Sequence, residues 1–144
     1  MSTFIDLDDG RTWRAANWAY DAVIEAIARE LNRTDLEREL ARWLREQTCL
    51  ACGPGLGSVD VRELSPASRA AFRMAAQRAY NTEAAAGPDG WRDPAAFPGW
   101  LNRFHLLLRM WDAIDRGEPP GQDTGCAAPT GRRVGPGWDA SPCT

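Results

Sequence analysis

The stretch that most limits what this chain can fold into runs Phe97-Pro-Gly-Trp-Leu-Asn-Arg-Phe-His-Leu-Leu-Leu-Arg-Met-Trp-Asp-Ala-Ile-Asp115. At about 100° per residue, Phe97, Trp100, Leu101, Phe104, Leu107, Leu108, Trp111 and Ile114 fall on one side of a helix. Leu106, Met110 and Ala113 widen that arc past half of the circumference, and Asn102, His105, Arg109, Asp112 and Arg116 form the narrow polar stripe that remains. An apolar surface this wide needs cover from two sides. The spacing therefore predicts the last and most deeply buried helix of the fold.

Upstream, Phe4, Asp6 and Asp8 alternate imperfectly and predict a short extended lead-in, with Asp8, Asp9 and Gly10 as a turn. Trp13, Ala16, Tyr20, Val23, Ile24, Ile27 and Leu31 keep an i, i+3, i+4 rhythm and predict a first helix. Thr34-Asp-Leu-Glu37 is a capping box, in which the hydroxyl and the carboxylate satisfy free amides reciprocally. It opens a second helix with Leu36, Leu40, Trp43, Leu44 and Gln47 facing inward. The short Asn32-Arg33 link makes these two helices antiparallel neighbours. Glycines 53, 55 and 57 around Pro54 end the second helix, and Val59-Asp-Val61 follows as a brief strand or extended chain.

Ser65-Pro66 places a hydroxyl cap before a proline at the first helical position, where its missing amide costs nothing. The third helix then runs to about Ala86. Phe72, Ala75, Ala76 and Ala79 face inward, small enough for a close approach to the aromatic last helix. That helix opens at Asp93-Pro94 or Phe97-Pro98 and stops at Gly117 and Pro119-Pro120. The expected fold is all-α: a compact bundle of about four helices with a possible short extended segment, in a single helical domain over 1–117. Residues 118–144 are expected to be a Gly/Pro-rich flexible C-terminal tail, with too few apolar side chains to offset the cost of ordering it.

The bulk properties narrow the function. A chain of 144 residues can bury a core without metal or disulfide support. A net charge of −3 and a pI near 5.2 argue against a non-specific hold on phosphate backbones or acidic membranes. No window approaches the ~18 apolar residues of a membrane span, and the first residues lack a basic and then apolar leader pattern. The expectation is a cytoplasmic protein with its four Cys reduced. All seventeen basic residues are Arg, the composition of a GC-rich bacterial gene.

Each chemical motif meets an objection. Cys49 and Cys52 fall past the end of the predicted second helix, whereas a redox pair works at a helix N-terminus. A zinc site needs Cys126, Cys143 or His105 to complete a tetrahedron, and these lie in the tail or in mid-helix. The only histidine, His105, has Leu101 and Arg109 one turn away, and neither orients an imidazole for acid–base work. Gly53-Pro-Gly-Leu-Gly-Ser58 lacks the Gly-Lys-Ser/Thr end of a phosphate loop. The row Arg38, Arg42 and Arg45 suggests DNA contact by the helix 1–helix 2 hairpin, but acids three or four residues away offer intrahelical pairs. No enzyme, metal or cofactor is expected. A DNA-binding regulator and a zinc-stabilised adaptor remain the alternatives.

What remains is surface. Trp18 lies off the helical stripe among Arg14, Asp21, Glu25 and Arg29, the composition of a protein-binding hot spot. Its alternative is cover by the lead-in, by Trp91 or by the tail. Asp6, Asp8 and Asp9 form an acidic cluster suited to a basic partner, and residues 1–64 carry twelve acids against eight Arg. The candidate partner-binding residues are Asp6, Asp8, Asp9, Trp18, Asp21 and Glu25.

Three segments carry a family likeness: Val-Asp-Val-Arg-Glu-Leu-Ser-Pro-Ala-Ser-Arg-Ala-Ala-Phe at 59–72, Gly-Trp-Arg-Asp-Pro-Ala-Ala-Phe-Pro-Gly-Trp-Leu at 90–101, and Phe-His-Leu-Leu-Leu-Arg-Met at 104–110. Over roughly 58–114 the chain resembles the small cytosolic immunity proteins of bacterial polymorphic toxin systems. The resemblance implies a non-enzymatic inhibitor that caps the active site or substrate groove of a cognate protein toxin, with no shared catalytic residue to carry over. A toxin with a basic groove, such as a nuclease, would be met by the acidic face. The long Gly/Pro ending departs from the compact ending usual in that family.

Overall fold

A computed structural model of the chain describes residues 3–119. The calls on the rest of the C-terminal tail, including Cys126 and Cys143, lie outside the described residues. Residues up to Asp112 form one compact unit, and a second begins at Ala113. The elements are β1 (Thr3–Asp6), β2 (Thr12–Ala15), α1 (Asn17–Arg29), α2 (Asp35–Glu46), α3 (Cys49–Cys52), β3 (Ser58–Asp60), α4 (Pro66–Ala86) and α5 (Phe97–Asp115). Single 3-10 turns lie at Val61–Glu63 and Pro94–Ala96. Helix accounts for 64% of the described residues, but a three-stranded sheet is also present, so the fold is mostly helical rather than all-α.

The sheet has the order β2-β1-β3, with β2 antiparallel and β3 parallel to β1. Ile5 is opposite Trp13 and beside Val59, and all three are buried. The alternate residues Phe4, Asp6, Thr12, Ser58 and Asp60 are half-buried on the other face, the period of two expected of strands. The β1–β2 turn closes with the Leu7 amide donating to the Arg11 carbonyl at 2.8 Å. Gly10 sits in this turn at φ +92, a conformation glycine adopts without a Cβ penalty.

The sheet corrects the reading of the first helix. Trp13 belongs to β2, and α1 starts only at Asn17, preceded by Ala16 with no side-chain cap. Trp13, Ala16 and Tyr20 happen to share helical spacing, and no capping residue marks the true start. Pairing of Thr12–Ala15 with β1 decides the matter.

The caps farther along follow local chemistry. The Thr34 hydroxyl accepts the Glu37 amide at 3.1 Å, while the Glu37 carboxylate reaches back to the Arg33 amide, also at 3.1 Å. Ser65 accepts the Ser68 amide at 3.1 Å, with Pro66 opening α4. On α2, Leu40 and Leu44 are buried, whereas Leu36, expected inside, is exposed at the first turn.

Two expectations about packing change. More than half of the thirteen residues of α1 are buried, against about a third of the nineteen in α5, so α1 is the deeper helix. Leu101, Leu106 and Met110 of α5 remain half-exposed. The close neighbours of α4, whose Phe72, Ala75, Ala76 and Ala79 are buried as expected, are α1 and α2. It meets α5 through rings: Phe72 lies edge-on to Trp111 at 5.8 Å and Tyr80 edge-on to Phe104 at 5.7 Å. These pairings run in opposite senses along the two helices, so α4 and α5 are antiparallel.

Three indole N–H groups attach α5 to the start of the chain. Trp100 Nε1 donates to the Ala19 carbonyl at 3.1 Å, Trp13 Nε1 to the Arg103 carbonyl at 2.8 Å, and Trp111 Nε1 to Asp8 Oδ1 at 3.3 Å. All three tryptophans are almost fully buried. A buried donor without a partner costs about 1–3 kcal/mol. Trp13→Phe and Trp100→Phe should each lower stability by about 1–3 kcal/mol in urea denaturation with an unchanged m-value. Losses of no more than a few tenths would mean that the bonds do not position α5.

Candidate protein-binding surface

The six residues singled out as partner-binding fall in two groups. The indole bonds place Ala19 beside Trp100 and Asp8 beside Trp111, positions about 16 Å apart along α5 at 1.5 Å per residue. Asp6, Asp8 and Asp9 therefore sit at the hairpin end, and Trp18, Asp21 and Glu25 along α1.

All five carboxylates already have partners. Asp6 accepts the Thr12 hydroxyl at 2.6 Å and lies 3.9 Å from Arg62. Asp8 accepts the Trp111 indole. Asp9 accepts the Arg11 guanidinium at 2.7 Å, and that bond chiefly holds its carboxyl below the usual range. Glu25 accepts both Nε and Nη2 of Arg45 at 3.0 Å, a bidentate pair across α1 and α2 that likewise lowers its pKa. Asp21 caps a backbone: its two oxygens accept the amides of Cys49 at 2.8 Å and Leu50 at 3.1 Å.

The Asp21 bonds build a surface that sequence reasoning did not identify. α3 is a single turn, too short to hold itself, and it is fixed from three sides. Besides Asp21, the Thr48 hydroxyl accepts the Ala51 amide at 3.3 Å and donates to the Arg45 carbonyl at 2.9 Å. The buried Tyr20 hydroxyl donates to the Gln47 carbonyl at 2.9 Å. Burial first, and the charge of Asp21 second, push the Tyr20 phenol far above its ordinary pKa, so it remains a donor. Gly57 packs where a Cβ would lie 2.7 Å from the Tyr20 ring and 2.9 Å from the Gln47 carbonyl, so only glycine lets the loop return this closely.

Large apolar side chains are nevertheless left in solvent around this framework. Leu50 is 93% exposed, Leu56 60% and Trp18 54%. Trp18 precedes Asp21 by one turn on the same face of α1, Leu50 leaves the chain at an amide that Asp21 holds, and Leu56 lies over Gly53 in the same loop. Trp91, considered as a cover for Trp18, is instead packed on Phe97 at 5.2 Å and Trp100 at 4.9 Å.

The remaining candidates fall into place as follows. All three arginines of the row Arg38, Arg42 and Arg45 are exposed; Arg38 pairs with Asp35 and donates to the Asn32 carbonyl, and Arg45 pairs with Glu25. His105 is exposed and stacked on Tyr80 at 5.2 Å. Cys49 and Cys52 do lie past the end of α2, but the chain there forms a further turn of helix. They are the first and last residues of α3, Cys49 buried and Cys52 exposed. No group of three or more His, Cys, Asp or Glu that would hold a metal ion occurs among the described residues. None of their helices is long and apolar enough to cross a membrane.

No protein-family model matches this chain, nor does any curated protein or solved structure.

Two outcomes follow. Asp21→Ala should raise the exchange rates of the Cys49 and Leu50 amides and cost about 1–3 kcal/mol, since a part-buried donor and an exposed one lose a charged acceptor. Unchanged exchange would show that the turn holds itself. The second concerns pH. Asp9, Glu25 and Asp60, the last held down chiefly by Arg62, have folded pKa values below their unfolded ones. The stability they contribute is present above about pH 4–5 and is lost as pH falls through the folded values. Glu25→Gln should make urea stability fall less between pH 6 and pH 3. The difference should be only tenths of a kcal/mol to about 1, because the pair is half-exposed; an equal fall would leave the Glu25–Arg45 pair without a stabilising role.

Proposed function

We propose that this protein acts by binding one protein partner, as an inhibitor of the immunity-protein kind that occludes the active site or substrate groove of a cognate toxin. The observation that carries this reading is a group of solvent-facing apolar side chains: Leu50 on a turn fixed by Asp21, Thr48 and Tyr20, Leu56 in the loop that follows it, and Trp18 one turn before Asp21 on α1. Tryptophan is among the residues that carry most of the binding energy at the centres of protein interfaces, and exposed leucines add apolar area that a partner can desolvate. A turn already held in place loses little further freedom on docking, so more of the burial energy appears as affinity.

The carboxylates take a secondary part in this proposal. Each is engaged inside the molecule, so the negative field steers a basic partner while the apolar anchors supply the affinity. The likeness of residues 58–114 to immunity proteins supports the toxin as partner. Among the described residues, no observed feature favours the DNA-binding or zinc-adaptor alternatives.

The test is to recover the stoichiometric partner of the tagged full chain from its native lysate and assay the partner's enzymatic activity with and without this protein. Inhibition is expected, and Leu50→Asp or Trp18→Ala should each raise Kd about 30-fold or more, equivalent to ~2 kcal/mol. Met74→Ala, at an exposed position on α4, should leave Kd unchanged. A partner that stays fully active in the complex, or one held equally by Leu50→Asp, would overturn the proposal.

A further inference from the structure

The two cysteines of α3 make a pair that the binding reading leaves unused. They are three residues apart on one helical turn, which puts both side chains on the same face. Helical geometry sets their Cα atoms about 5 Å apart, inside the range a disulfide spans. Both are free thiols with unequal access: Cys49 is buried and Cys52 exposed. The Cys52 thiol donates to the Glu46 carbonyl at 3.0 Å, at the rim of the turn. Asp21 holds the backbone of Cys49 through its amide, and the exposed Cys52 side chain has open space in which to rotate toward it.

We propose that Cys49 and Cys52 form a reversible dithiol that reacts with small disulfides such as glutathione disulfide, with Cys52 attacking and Cys49 resolving. The Cys52 thiolate, its proton released to water, attacks one sulfur of glutathione disulfide. An S–S bond forms to Cys52, and one glutathione thiolate leaves. Cys49 then loses its proton and attacks the Cys52 sulfur, closing the internal disulfide and expelling the second glutathione. Two protein thiols are oxidised, and one glutathione disulfide is reduced to two glutathione thiols. The new bond spans Leu50 and Ala51 and breaks the Cys52–Glu46 contact. Where the binding reading also holds, the redox state of this turn governs how Leu50 is presented; the thiol chemistry itself does not depend on that reading.

The experiment uses the full chain with Cys126→Ser and Cys143→Ser, treated with glutathione disulfide, quenched in acid and read by intact mass and thiol alkylation. The parent should lose both thiols and two hydrogens while retaining no glutathione. Adding Cys49→Ser should trap one glutathione on Cys52, and Cys49→Ala should trap the same adduct, which guards against a folding defect peculiar to one variant. Adding Cys52→Ser should slow reaction at least 10-fold, because the remaining thiol is covered. A parent that accumulates the mixed disulfide without closing, or a Cys52→Ser chain that takes up glutathione as fast as Cys49→Ser, would overturn the proposal.

Discussion

The fold depends on what a tryptophan demands when it is buried. Removing an indole ring from water gains about 2–3 kcal/mol of hydrophobic stabilisation, but its N–H then needs an acceptor, and a missing one costs about 1–3 kcal/mol. The bond therefore decides whether the burial is worth having. Trp13, Trp100 and Trp111 each find that acceptor across at least eighty residues of sequence, between α5 and the opening hairpin or the first turn of α1. One wrong turn of α5 along its axis would leave all three donors unsatisfied. With that register set, α1 follows directly from β2 and becomes the central helix, and α4 lies antiparallel to α5 through the Phe72–Trp111 and Tyr80–Phe104 contacts.

A second use of polar bonds shapes the surface. The turn at α3 has almost no apolar burial of its own; among its residues only Cys49 is covered. It is held by directed bonds from Asp21, Thr48 and Tyr20, and by the bare backbone of Gly57 against the Tyr20 ring. Its exposed Leu50 is therefore free of the core, on a backbone that is held in place. An exposed leucine gains nothing in the free protein, and its benefit appears only when a partner covers it. This separation of framework from contact surface is the physical content of the proposed inhibitor role.

What could be read from sequence was what is local. Thr34 with Glu37, Ser65 with Pro66, and the alanine face of α4 each state their structure within four residues. Of the sheet, the extended lead-in and the short segment at 59–61 were legible, but β2 and the pairing were not, because the strands are three or four residues long and the β2 residues coincide with helical spacing. The candidate surface was half legible. Trp18 stands out as an aromatic among charges, and it is exposed. The internal partners of the carboxylates near it could not be read because they are distant: Arg45 lies twenty residues from Glu25, and the Cys49 amide twenty-eight from Asp21. Leu50 gave no signal, since one leucine between two cysteines looks the same buried or exposed.

The central claim, that indole bonds hold α5 to the start of the chain, is tested most directly by hydrogen exchange of the tryptophan side chains followed by NMR. Nε1–H of Trp13, Trp100 and Trp111 should exchange only through global unfolding, with protection close to that of the slowest backbone amides, while that of Trp18 exchanges at nearly the free rate. Rapid exchange at all of the tryptophans, or protection of Trp18 equal to that of Trp100, would contradict the account.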